Sequence, residues 1–154
     1  SWSIPLPVIL SVAFAALGGI CALHLAGMLL DIYAQLGLIM LIGLCAKSTI
    51  LMVEFSMQER DAGKSIAQAA VNGANYRYRA VLMTAWSFLF GVFPLVIATG
   101  AGSGSRRAIG ITTFSGMAMA TLVGIIFTPA FYAAFQRIRE WIKKKLHWDA
   151  KPAE

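Results

Sequence analysis

One charged side chain, that of Lys47, lies deep within an apolar run of the sequence, GLCAKSTILMVEF. Phe55, at the polar end of this run, is eight residues away, which is about 12 Å along a helix. A lysine near the middle of a bilayer costs about 2.5–3.5 kcal/mol on insertion scales. Its aliphatic side chain would have to reach over this distance to place the ammonium group in water, so snorkelling recovers only part of that cost. Intramembrane ionisable groups usually serve ion pathways or proton relays, so this chemistry is the first hypothesis for Lys47.

A buried ammonium group needs a carboxylate partner, and the sequence offers none at the depth of Lys47. Glu54 shares its helix face but lies seven residues on, about 10 Å along the axis. Asp31 stands before this span begins, at the opposite membrane surface. Either Lys47 is neutral or its partner is on a helix outside these residues. The functional unit is therefore predicted to be larger than this chain, and the start at Ser1 without a signal peptide agrees with that.

A second set of polar residues lies at the start of the next apolar run, residues 80–98, and within it. Arg77 stands just before it, and Thr84 lies seven residues on, so both project from one helix face, which Ser87 continues. Two simpler interpretations stay open: Arg77 as an interfacial anchor, and Thr84 as a hydroxyl bonded back to its own helix. Together with Lys47, these residues are candidates for a polar pathway from the cytoplasm into the membrane.

The composition indicates the elements that position these residues. Of 154 residues, 58% are hydrophobic and only 13% are charged, which is too apolar for a small soluble domain. Runs near 20 apolar residues predict membrane-spanning helices, whereas a β-barrel would show short alternating segments. The predicted fold is an all-α polytopic membrane bundle with spans at about 4–26, 33–55, 80–98 and 109–135.

The connections between the spans differ in character. Residues 65–75 predict a short amphipathic helix in a long polar loop, with Ser65 as its N-cap. The Gly/Ser-rich segment 99–107 predicts irregular structure. Small residues at four-residue intervals predict helix-packing faces. These rows are Gly18, Ala22 and Ala26 in the first span, and Gly116, Ala120 and Gly124 in the fourth.

The net charge of +6 is concentrated at the ends of the spans, which fits cytoplasmic membrane loops better than nucleic-acid binding. Residues 1–135 are predicted to form the transmembrane part and 136–154 a basic cytoplasmic tail. With four spans, the N-terminus, the long loop and the tail lie on one side, which the positive-inside rule makes cytoplasmic. The only basic residues predicted on the opposite side are Arg106 and Arg107.

Three segments together resemble the C-terminal membrane segments of resistance-nodulation-division (RND) efflux pumps, and most closely the hydrophobe/amphiphile multidrug exporters. They are GLCAKSTILMVEF, YRYRAVLMTAWSFLFGVFPLVIATGAGSGSRRAIG and FTPAFYAAFQRIRE. The resemblance covers about residues 1–140 and implies the last four of twelve membrane helices. It also implies a proton-driven homotrimer in the bacterial inner membrane, working with a periplasmic adaptor protein and an outer-membrane channel.

The resemblance assigns roles to particular residues. It implies that Lys47, Arg77 and Thr84 belong to the proton relay, and that an aspartate pair on a helix outside this chain is the missing carboxylate partner. Ser48 stands where the family often has Asn, so Ser48 and Ser87 are only accessory candidates. The resemblance also implies that the proton gradient is the energy source, and no cofactor, metal or nucleic acid is expected.

Other functions remain as alternatives. The chain is alternatively a non-transporting four-helix assembly subunit or remnant, or an RND relative of the metal-efflux or protein-export branch. An enzyme is not expected, because no nucleophile–base set, phosphate loop or metal-ligand spacing occurs. The exported compounds cannot be read from these residues, since the resemblance places substrate choice in domains outside them.

Overall fold

The computed structural model describes the backbone of residues 5–149 and the side chains of residues 5–145. The ends of two predicted segments, Ile4 of the first span and residues 150–154 of the tail, lie outside the described residues. The described part is an all-α structure without strands, as predicted. Its helices are α1 (Pro5–Leu25), α2 (Ile32–Asp61), α3 (Ile66–Val96) and α4 (Ser103–Asp149), and each is long and apolar enough to cross a membrane.

Short polar residues fix the starts of the two central helices. The Asp31 carboxylate accepts a hydrogen bond from the Ala34 backbone N–H at 2.8 Å, so it caps α2. Ser65 caps α3 in the predicted way, because its hydroxyl oxygen accepts from the Gln68 N–H at 3.3 Å. Gly63, with φ of +90°, turns the chain between α2 and α3 in a conformation that other residues rarely adopt.

The prediction of a separate short helix at residues 65–75 is wrong. Helix α3 runs without a break from Ile66 through Arg77 to Val96, and α2 extends past Phe55 to Asp61. The predicted long loop is therefore only 62–65. Hydropathy marks where a chain meets lipid, whereas a polar helix end continues wherever caps and packing satisfy it.

The prediction that residues 99–107 are irregular throughout is also wrong. The turn ends at Gly102, which has φ of +70°, and α4 begins at Ser103, so Arg106 and Arg107 are helical. Helix α4 then continues through Pro129, past the predicted span boundary at 135, as far as Asp149. The described part of the basic tail is thus a helical extension of the fourth span.

Helix α4 is the centre of the bundle. Within the described residues it packs against α1, α2 and α3, whereas α1 and α3 do not touch each other. Close approaches use the predicted small residues: a Cβ at Gly18 would lie 2.5 Å from Met119 Cβ, and one at Gly116 would lie 2.1 Å from Leu41 Cδ2. Gly124 makes no such contact with another helix, and Ala26 follows the end of α1.

Ion pairs join the helices at the end of the bundle where α2 finishes. The Arg60 guanidinium donates to Glu140 Oε1 from Nε at 3.1 Å and from Nη2 at 2.8 Å, which ties α2 to α4. Lys64 and Asn72 both donate to Glu59 Oε2, which ties α2 to α3. The hydrogen bond from Arg60 lowers the pKa of Glu140, so the pair is ionised at neutral pH and is lost as the pH falls through that lowered pKa.

Much of the remaining surface is apolar. Large side chains such as Ile9, Phe90 and Ile126 are 62%, 72% and 66% exposed. An apolar surface of this extent is normal for helices that face lipid or further membrane helices. The four helices therefore form a multi-pass membrane structure.

We predict that replacing Gly73 by Ala destabilises the bundle. An added Cβ would lie 2.1 Å from Ser56 Oγ and 2.6 Å from the Ser56 backbone nitrogen, so α2 and α3 would have to separate. Overpacking of this kind costs about 1–3 kcal/mol. Gly43→Ala is the matched control, because nothing lies within 4 Å of its added Cβ and Ala favours a helix by up to about 1 kcal/mol.

Unfolding free energies in mixed detergent micelles measure both variants. The expected result is a loss of stability for Gly73→Ala and an unchanged or raised stability for Gly43→Ala. Equal stabilities of the two variants would contradict the close α2–α3 contact.

Candidate functional site

The predicted relay residues meet in one groove between α2 and α3. The groove has a volume of about 140 Å³, and Met117 of α4 closes its inner side. We call it the Lys47 groove. Its lining comprises Leu44, Lys47, Ser48 and Leu51 from α2, Arg77, Ala80, Val81 and Thr84 from α3, and Met117.

Helix geometry explains why these residues converge. Leu51 follows Lys47 by four residues, and Ala80 and Thr84 follow Arg77 by three and seven, so each set forms one row on its helix. The two helices are joined by a four-residue turn and run antiparallel. Their polar rows therefore face a common space, in which Arg77 lies nearer the joined end of the helices and Lys47 lies further from it along the helix axes.

Lys47 has no anionic partner among the described residues. The ion pairs there are Arg60–Glu140 and Lys64–Glu59, and neither reaches the groove. Glu54, which the sequence places on the face of Lys47, is exposed and does not line the groove. The Lys47 side chain is itself exposed in this four-helix bundle, so it is accessible to a carboxylate from outside the described residues.

Arg77 is held by an aromatic side chain that the sequence analysis did not single out. Its guanidinium carbon lies 4.2 Å from the centroid of the Phe55 ring, which is cation–π geometry. Its Nε is buried and has no hydrogen-bond partner in the described part of the chain. The one available signal was spacing, since Phe55 follows Lys47 and Leu51 at four-residue intervals.

The hydroxyl groups of the groove donate to their own helices. Thr84 Oγ1 donates to the Ala80 carbonyl at 2.9 Å, and Ser48 Oγ donates to the Leu44 carbonyl at 3.2 Å. This is the simpler interpretation that the sequence left open for Thr84. Each oxygen keeps lone pairs that accept hydrogen bonds from a cationic donor. Ser87 also donates to its own helix, at Met83, but it does not line the groove.

A smaller pocket adjoins the groove and shares Ser48, Val81 and Met117 with it. Its volume is about 30 Å³, which is room for a water molecule. Hydroxyl groups from three helices line it, and Ser11 Oγ lies 3.2 Å from Thr128 Oγ1 across the α1–α4 contact. Nothing in the spacing of these residues predicted that they meet, because their positions are 117 residues apart.

Comparison with known proteins identifies the family. The family model described as the AcrB/AcrD/AcrF family matches residues 1–136 of the chain. The chain belongs to the AcrB/AcrD/AcrF family. This confirms the resemblance to the RND multidrug efflux pumps that the three sequence motifs indicated.

Individual relatives of this family are similar over most of the chain. The toluene efflux pump membrane transporter TtgB of Pseudomonas putida is 42% identical over 134 residues, which are 87% of this chain and 13% of TtgB. The multidrug resistance protein MdtF of Escherichia coli is 41% identical over 145 residues, which are 94% of this chain and 14% of MdtF. The chain therefore spans about one seventh of the length of its AcrB/AcrD/AcrF relatives.

We predict that Phe55 and Arg77 are energetically coupled. Cation–π pairs stabilise by about 0.5–1 kcal/mol when exposed and about 2 kcal/mol when desolvated, and this pair is partly buried. A double-mutant cycle of Phe55→Leu and Arg77→Gln, measured by unfolding in mixed micelles, gives the coupling energy directly.

The control cycle pairs Phe55→Leu with Arg79→Gln, because Arg79 is exposed on the helix of Arg77 and is not the cation that lies over the Phe55 ring. We expect coupling near zero there. If the Arg77 cycle also gave zero, the ring would not be holding the guanidinium.

Proposed function

We propose that this chain forms part of a proton-driven efflux transporter of the bacterial inner membrane, in which Lys47, Arg77 and Thr84 belong to the proton relay. The observation that carries the proposal is their convergence in one groove that lacks a carboxylate among the described residues. The names of the relatives, a toluene efflux pump and a multidrug resistance protein, support efflux of hydrophobic or amphiphilic compounds. The basic residues support a cytoplasmic α2–α3 turn and tail.

The electrostatics of the groove require an anion. Lys47 and Arg77 bring two cationic groups into the same lining, and neither is neutralised by a described carboxylate. A carboxylate about 4 Å from an ammonium stabilises it by roughly 4 kcal/mol at the effective dielectric of partly buried sites. The aspartate pair that the family resemblance implies would supply that charge from another helix of the complete transporter.

Protonation of those carboxylates is the switch in this proposal. An ionised carboxylate holds Lys47, whereas a protonated one releases it. The released ammonium then donates to other acceptors in the groove, such as the lone pairs of Thr84 Oγ1. A change of roughly 4 kcal/mol is most of the roughly 5.5 kcal/mol that inverts a 1:99 equilibrium, so one proton strongly biases a two-state bundle.

The packing of the bundle supports transmission of that change. Helices α2 and α3 touch at Ser56 and Gly73 with no space for a side chain, so a shift of α2 at Lys47 displaces α3 as well. Helix α4 contacts both and extends to Asp149. In the complete homotrimer, such motion would reach the drug-binding domains, the adaptor protein and the outer-membrane channel.

The test replaces Lys47 by Met in the complete transporter. Met keeps the length of the side chain and removes the charge, so we expect drug resistance to fall to the level of cells without the transporter. Lys143→Met is the matched control, because Lys143 is exposed on the α4 extension, far along the chain from the groove. Immunoblots of membranes and trimer analysis check that both variants assemble normally.

Retained resistance in an assembled Lys47→Met transporter would contradict the relay role. If the wild-type protein also assembled normally but gave no resistance, the alternative of a non-transporting assembly subunit would be favoured instead.

A further inference from the structure

A second, larger groove has no part in the relay. It lies between α3 and α4, on a face different from that of Lys47, and its volume is about 490 Å³. We call it the α3–α4 groove. Its walls are mainly apolar, formed by Leu82, Trp86 and Leu89 from α3 and by Leu122 and Ile126 from α4.

The length of the α3–α4 groove corresponds to one leaflet of a bilayer. From Tyr78 to Leu89 its α3 wall spans twelve residues, whose eleven helical rises make about 16 Å. The hydrocarbon core is about 30 Å thick, so the groove covers about half of it. A further membrane helix needs about 20 residues and would require a groove of the full height.

The inner end of the groove is closed by contacts between the two helices. The rings of Phe93 and Phe114 lie 6.2 Å apart, one turn beyond Leu89. Further on, a Cβ at Gly110 would lie 2.8 Å from Leu95, so α3 and α4 touch directly. The groove therefore ends near the middle of the span and opens towards the end where α3 begins.

The open end carries polar groups suited to a lipid headgroup. Tyr78 lines the groove there and is 48% exposed. Arg79 is exposed and precedes Trp86 by seven residues, so it lies on the face of α3 that bears the groove. Tyrosine and arginine are common at the membrane interface, where a guanidinium pairs with phosphate oxygens.

We propose that the α3–α4 groove binds an anionic phospholipid, with an acyl chain along Trp86 and Leu122 and the headgroup phosphate at Arg79 and Tyr78. The apolar walls match an acyl chain, the half-bilayer length matches one leaflet, and the cation at the open end matches the phosphate. This site requires only that the helices span a membrane, so it does not depend on the proton relay.

The test counts lipids held by the protein as the cell makes it, purified from its native membrane and analysed by native mass spectrometry. Ala118→Phe places a ring in the groove, and we expect it to lose one tightly bound phospholipid per chain. Ala13→Phe makes the same change at an exposed alanine of α1 that lines none of the described pockets, and it should keep that lipid.

The charge at the open end is tested separately with spin-labelled lipids in vesicles. Arg79→Gln should lower the preference for phosphatidylglycerol over phosphatidylcholine by about fivefold, whereas Arg107→Gln, at the opposite end of the bundle, should not change it. Arg79→Gln alters an exposed side chain, so it remains informative if Ala118→Phe disturbs packing.

Two results would overturn the proposal. Equal lipid retention by Ala118→Phe and Ala13→Phe would mean that another part of the protein covers the groove. An unchanged lipid preference in Arg79→Gln would remove the anionic headgroup from the site.

Discussion

The dominant constraint on this structure is a positive charge that stands on an otherwise apolar helix surface and has no carboxylate partner among the described residues. Lys47 lies in the membrane-spanning part of α2, shares its groove with Arg77 and Thr84, and meets no carboxylate among the described residues. Such a charge persists in a membrane only when a partner or water stabilises it. The four helices therefore make sense as one side of a larger interface, and their similarity to about one seventh of much longer transporters agrees with that.

The helix framework holds the groove open rather than filling it. Helix α4 contacts every other helix, and glycines at the crossing points let the helix backbones approach closely. The Phe55 ring holds Arg77 between α2 and α3. Nearer the turn that joins these helices, the Arg60–Glu140 ion pair ties α2 to α4, and the hydrogen bond from Asn72 to Glu59 ties α3 to α2. Close helix crossings lie on both sides of this polar row, and we therefore propose that a change of charge in the groove moves whole helices rather than single side chains.

Sequence reasoning predicted much of the fold and most of the site, for identifiable reasons. Apolar runs located all four spans, and helical spacing placed Arg77 and Thr84 on one face. Hydropathy could not find helix ends, because the polar residues before Arg77 and after Phe55 remain helical through caps and packing. The Phe55–Arg77 contact and the Ser11–Thr128 pair depend on how separate helices cross, which no local spacing encodes.

The most direct test of this account is an experimental structure of the complete membrane protein that contains these helices, at a resolution that shows side chains. The decisive quantity is the distance from Lys47 Nζ to the nearest carboxylate oxygen. We predict a carboxylate from another helix within about 4 Å of Lys47 Nζ, the distance of an ion pair. A Lys47 side chain surrounded only by lipid or apolar residues, with no acid near the groove, would contradict it.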